Sequence, residues 1–178
     1  MAAHMRKRLL IVDGYNVLNQ GVAYLSGKPL DDARDRLIRE LHDYAAYSDQ
    51  QLTLVFDAWQ SDRKQRTIER TGHITVVFTK RGETADQYIE RLCDEHARDV
   101  DLGRLEIRVA TSDGVEQTIV FGRGATRIPA RELLIEMDQM RSTGVHAGKD
   151  KTPKKSTVMD GLPPHVREQL ERMRRGQM

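Results

Sequence analysis

Four short stretches rich in apolar residues punctuate the chain, at residues 9–12 (LLIV), 52–56 (LTLVF), 74–78 (ITVVF) and 105–110 (LEIRVA), the last interrupted by Glu106 and Arg108. Runs of this length, rich in β-branched residues, read as strands of a sheet buried on both faces. The stretches between them carry helical spacing instead. From residue 31 to 47, Leu30, Ala33, Leu37, Ile38, Leu41, Tyr44 and Ala45 recur on one helical face, with Asp31 and Asp32 suited to its N-terminal end. Thr84 and Gln87 have the spacing of a capping box, so a second helix starts there and buries Ala85, Ile89, Leu92 and Cys93. Residues 115–121 read as a short helix ended by Gly122 and Gly124, and residues 126–128 fit a short fifth strand. Pro129 opens a helix running to about Arg141. The polar stretch 59–72 fits either a short helix or a flap. Strands alternating with helices predict an α/β fold, with a central, mainly parallel sheet of four to five strands between two helical layers. Right-handed crossovers then bring every strand's carboxyl end to one edge.

That edge is where open α/β sheets bind ligands, and here it collects acid. Asp13 closes the first run and Asp57 the second, while Asp113 follows the fourth after Thr111 and Ser112. Glu83 and Asp86 stand at the mouth of the helix beyond the third run, and Glu116 lies three residues past Asp113. Gly14 lets the chain turn after Asp13, and Asn16 follows. One Asp after one strand is ordinarily a turn residue or a helix cap. Six carboxylates at one edge repel each other and raise each other's pKa, which calls for a cation. The donors are hard oxygens without a set of His or Cys, which favours one or two Mg²⁺ or Mn²⁺ ions over Zn²⁺. Such ions suit phosphate chemistry. Asn16, Thr111 and Ser112 can support the carboxylates. Lys80, Arg81 and Arg123 can contact phosphates, or stand as solvated loop charges. Tyr15 and Trp59 can stack on a base, or pack at the edge of the core. His42, His73 and His96 have no spacing that implies catalysis.

The charge is unevenly spread. Lys and Arg number 29 against 27 Asp and Glu, a net charge of +2 in 178 residues. Residues 149–178 carry +4, and the rest carries −2. The basic tail is a handle for a polyanion, or simply solvated. Cys93 is the only cysteine, which excludes an intrachain disulfide and fits a reducing compartment. No run approaches the ~18 apolar residues of a membrane helix. Residues 1–4 read as a vector leader, 5–142 as the α/β domain, and 143–178 as a basic linker with a short helix at 166–175.

Taken in order, IVDGYN (11–16), VFDA (55–58), FTK with GETAD (78–80, 82–86) and ATSD with Glu116-Gln117 (110–113) resemble the YacP-like branch of the NYN domains, relatives of PIN-type nucleases. The resemblance covers residues 9–141, and the closing LERMRRG is also similar to such chains. It implies a PIN-like three-layer fold and a metal-dependent endoribonuclease of the bacterial cytoplasm or plastid stroma. RNA is the implied partner, with mRNA on the ribosome as one form of substrate and no membrane involved. Matching motifs make Asp13 and Asp86 metal ligands, completed by Glu83 and Asp113. They make Asn16 a polar residue of the site, with Asp57 supporting from behind. The expected reaction is attack of a metal-activated water on phosphorus, leaving a 5′-phosphate and a 3′-hydroxyl. Two rivals stand beside it: a non-catalytic RNA- or ribosome-binding module, and a metal-dependent phosphatase for a small substrate.

Overall fold

In the computed structural model, the described residues are 5–21, 24, 26–58, 61–112 and 124–148, without the side chains of 144–148. The expected leader (1–4), the helix at 115–121 and the tail beyond 148 lie outside them. The chain divides into units Met1–Met140 and Arg141–Met178, and the whole sheet belongs to the first.

All four apolar runs form strands. They are β1 (Lys7–Asp13), β2 (Gln51–Phe56), β4 (Ile74–Phe78) and β5 (Leu105–Ala110), joined by β3 (Thr67–Thr71) and β6 (Thr126–Ile128). The order across the sheet is β3-β4-β2-β1-β5-β6. Every pairing is parallel except β3 with β4. Six strands thus replace the expected four to five. The extra one, β3, comes from the polar stretch that fitted a helix or a flap. Its residues are almost all exposed, so no apolar alternation marked it. A charged, antiparallel edge strand also protects an open sheet from further pairing.

Helices α1 (Gly14–Gln20), α2 (Leu30–Tyr47), α3 (Ala85–Asp101) and α4 (Ala130–Gly148) cover both faces. Leu10, Val12, Leu52, Leu54 and Phe56 pack on one face against Val17, Leu18, Leu37, Leu41, Leu133 and Met137. Leu9, Ile11, Val55, Val77, Ile107 and Val109 pack on the other against Ala85, Ile89 and Cys93 of α3. The period of two in β1 divides the core between the faces. The predicted capping box forms: Thr84 Oγ1 accepts from Gln87 N at 3.2 Å, and Gln87 Oε1 accepts from Thr84 N at 3.1 Å. Leu30, expected on the buried face of α2, is exposed at its first position. Across the first face, Tyr44 of α2 and Arg108 of β5 both donate to Glu136 of α4, at 2.5 and 2.9 Å. Burial, and then Glu136 itself, push the Tyr44 hydroxyl above its ordinary pKa.

Register brings the strand ends together. Asp13 stands opposite Val55, Val12 opposite Ala110, and Phe56 opposite Phe78. Directly after β1 the chain enters α1, a turn of structure the apolar pattern does not announce. Gly14 is needed here for closeness rather than for an unusual turn. A Cβ at Gly14 would lie 2.5 Å from the Phe56 ring. Phe56 in turn stacks on Phe78 with centroids 5.3 Å apart and meets Tyr15 edge-on at 5.3 Å. Such pairs contribute about 0.5–1.5 kcal/mol each beyond burial. Replacing Gly14 by Ala should therefore force the aromatic group aside and destabilise the domain by roughly 1–3 kcal/mol. Denaturant titration would measure this, and an unchanged midpoint would refute the packing role.

Candidate active site

Asp13 ends β1 and caps α1. It is 6% exposed, and a buried carboxylate needs partners for its oxygens. Asn16 supplies them: its backbone N donates to Oδ1 at 3.3 Å and its Nδ2 to Oδ2 at 2.9 Å. Asn16 Nδ2 also approaches Thr111 Oγ1, at 3.3 Å. Thr111 follows β5, is fully buried, and donates its backbone N to Ile128 O of β6 at 3.1 Å. One polar network therefore joins the carboxyl ends of β1 and β5 and the start of α1.

Asp57 follows β2 and is half-buried. Its Oδ2 accepts from the backbone N of Ala85, the first residue of α3, at 3.3 Å. Beside it, Ala58 N donates to the buried Thr79 Oγ1 at 2.8 Å. Asp86 lies in the first turn of α3. Asp13, Asp57 and Asp86 line one cleft of about 350 Å³, with Tyr15, Asn16, Asn19, Thr84 and Ala85. Three elements thus deliver three of the expected carboxylates to a single solvent-open space.

Glu83 goes elsewhere. Arg66 holds both its oxygens, donating Nε to Oε1 at 2.6 Å and Nη2 to Oε2. Arg91 Nη2 donates to the same Oε2 at 2.7 Å. Both guanidinium groups lie over the Tyr88 ring, at 5.4 and 6.0 Å. Glu83 is buried and is not among the residues of the cleft. Glu83 was expected to ligate metal; in this geometry its carboxylate is paired with two guanidinium groups instead. The clasp joins the segment before β3 to α3. Glu83→Gln should lower stability by roughly 1–3 kcal/mol, the cost of leaving a buried partner unsatisfied. A thermal melt checks this, and parent-like stability would contradict the clasp.

The remaining expected residues are dispersed. Tyr15 lines the cleft, while Lys80, Arg81 and Ser112 are exposed around the same edge. Asp113, Glu116, Arg123 and Trp59 lie outside the described residues. Among the described residues, no group of three His, Cys, Asp or Glu side chains stands close enough together to hold a metal ion by itself. The donors of the cleft nonetheless suit one. They are carboxylate and amide oxygens around an open space, the chemistry of a hard divalent ion that keeps several of its waters.

Sequence reading missed three residues of this edge. Arg34, Arg63 and Phe78 line a second space of about 620 Å³ with Tyr15, Asp57, Ala58, Ser61 and Thr84. It adjoins the acidic cleft, since Tyr15, Asp57 and Thr84 line both. Arg34 had the sequence signature of a helix-surface residue, paired with Asp31 three positions earlier. Arg63 stood in an unpatterned polar stretch.

Comparison with known proteins bears on this geometry. A family model described as the YacP-like NYN domain matches residues 10–175. The chain is 34% identical over 174 residues to the Bacillus subtilis (strain 168) protein named uncharacterized protein YacP, covering 96% of this chain and 98% of the relative. The crystal structure of Rae1 (YacP) from Bacillus subtilis is similar with a TM-score of 0.66 and 32% identity, over 94% of this chain and 95% of that one. Its tryptophan-to-leucine variant is similar with a TM-score of 0.64 and 30% identity, over 93% and 99%.

Proposed function

We propose that this chain, which belongs to the YacP-like NYN domain family, is a metal-dependent endoribonuclease. Membership in this family of PIN-like nucleases supports nuclease chemistry. The observation that carries the finer reading is the cleft: Asp13, Asp57 and Asp86 reach it from β1, β2 and α3 at the carboxyl edge of the sheet.

Asp13 and Asp86 are the proposed metal ligands, with Asp113 as the third. Mg²⁺ or Mn²⁺ bound there supplies acidity for a water and offsets phosphate charge. The chain's own residues do the positioning. Asn16 fixes both oxygens of Asp13, so the carboxylate faces the cleft in one orientation. Asp57 holds the first amide of α3, which sets where Asp86 stands relative to β2. Thr111 extends this support to β5. In the proposed hydrolysis a water oxygen joins phosphorus and the 3′-oxygen leaves with a proton. The products carry a 5′-phosphate and a 3′-hydroxyl. Single-stranded RNA, free or as mRNA on the ribosome, is the proposed substrate. The bacterial cytoplasm or plastid stroma is the proposed compartment.

The test is incubation of labelled RNA with the protein, with and without Mg²⁺ or Mn²⁺, alone and with programmed ribosomes. Internal cuts should appear only with metal and vanish in Asp86→Asn and Asp13→Asn, which keep their folds. Asn remains a good N-cap, so the latter retains α1. Asn16→Ala should reduce cutting by about 10–100-fold, the usual effect of removing a residue that orients a ligand. Cuts that persist undiminished in Asp86→Asn would overturn the site. Binding without cutting under every condition would favour the non-catalytic module, and hydrolysis confined to a small phosphate ester would favour the phosphatase.

A further inference from the structure

We infer that the space lined by Arg34, Arg63, Tyr15 and Phe78 is a phosphate subsite, which holds the RNA backbone at a phosphodiester next to the one cut. The inference rests on the nuclease reading and adds to it a place for the substrate.

The acidic cleft alone repels a polyanion. Along the edge it shares with its neighbour, the sign of the charge changes. Arg34 comes from α2 and Arg63 from the segment before β3, and both line the larger space. The two guanidinium groups lie over the same Phe78 ring, at 5.7 and 5.3 Å from its centroid. Cation–π contact of this kind draws each guanidinium toward the ring. Hydrogen bonds restrict them further. Arg34 Nη1 donates to Tyr15 Oη at 3.1 Å, and Arg63 Nη1 donates to Thr67 Oγ1 at 3.1 Å. Arg34 also pairs with the exposed Asp31. No carboxylate is paired with Arg63 among the described residues. Each guanidinium has five N–H donors, so both retain donors for a ligand after these contacts.

Two forks held over one ring suit a phosphate, which guanidinium binds bidentately. The volume, about 620 Å³, lies within the range of small-ligand sites, roughly 300–1,000 Å³. Asp57 and Thr84 bound both spaces, so a strand lying across them passes from the arginines to the carboxylates. The subsite positions the backbone and does not select sequence.

The test measures binding of a fluorescent single-stranded RNA to the full chain in excess chelator, across a series of salt concentrations. Arg34→Gln and Arg63→Gln should each weaken binding, equally for RNAs of different sequence. Each should also make the dependence of log K on log salt shallower by about 0.7, the value for one phosphate contact on a single strand. Arg63→Lys retains the charge and so the slope, but loses the fork and some affinity. Arg98→Gln, exposed in the last turn of α3, serves as the control and should match the parent. Parent-like affinity and slope in both glutamine variants would overturn the subsite, as would a loss confined to one RNA sequence. The outcome separates from that of the nuclease reading. A chain that never cuts yet loses binding in these variants keeps the subsite and loses the reaction. A chain that cuts, with binding unchanged in the variants, does the reverse.

Discussion

The buried carboxylate of Asp13 is the constraint on which the rest of this edge depends. Desolvating an ionised carboxyl is unfavourable by several kcal/mol unless its oxygens are paired. Asn16 pairs them, which requires the chain to enter a helix immediately after β1. An immediate helix places Gly14 against Phe56, within a distance that no side chain would fit. Phe56 can stay there because it stacks on Phe78 and receives the edge of Tyr15. The polar network above the sheet end and the aromatic group below it thus require each other. A change in either is transmitted to the other through a single missing Cβ.

The same edge tolerates many carboxylates because each has a different answer to its charge. Asp13 is held by an amide side chain and caps a helix. Asp57 accepts from the first amide of α3, where the helix dipole favours a negative group. Glu83 is neutralised by two arginines and withdrawn from the cleft. With Glu83 paired elsewhere, the open space lined by Asp13, Asp57 and Asp86 has fewer anions around it.

What the sequence revealed, and what it hid, depends on whether a signal is local. The strands of the sheet centre were legible because burial writes short stretches dominated by apolar residues, unbroken only in β1. The capping box at Thr84 was legible because both partners lie within one turn. Strand β3 was hidden, since an exposed edge strand needs no alternation. Helix α1 was hidden too: seven residues, packed through Val17 and Leu18, are too few to show a period. The convergence of Asp13, Asp57 and Asp86 could be argued from topology, because parallel crossovers force it. The fate of Glu83 could not. Arg66 lies 17 residues earlier on another element, and no spacing rule connects them. Arg34 and Arg63 were lost for the same reason, since they meet only over Phe78.

Two of these hidden residues, Arg63 and Arg66, share one segment. Residues 61–66 provide Arg63 to the space beside the acidic cleft and Arg66 to the clasp on Glu83. The strand that comes after them buries almost nothing, so apolar packing does little to hold it. Its position is set by three other contacts: pairing with β4, the backbone bond from Arg81 N to Arg63 O at 2.8 Å, and the clasp. Gly82 sits between Arg81 and Glu83 with φ +77°, a conformation that glycine adopts without strain. This lets the chain make the backbone bond and then turn the next carboxylate inward. Glu83 therefore contributes to the edge from outside the cleft. By anchoring Arg66 it sets the position of Arg63, three residues earlier in the same short segment.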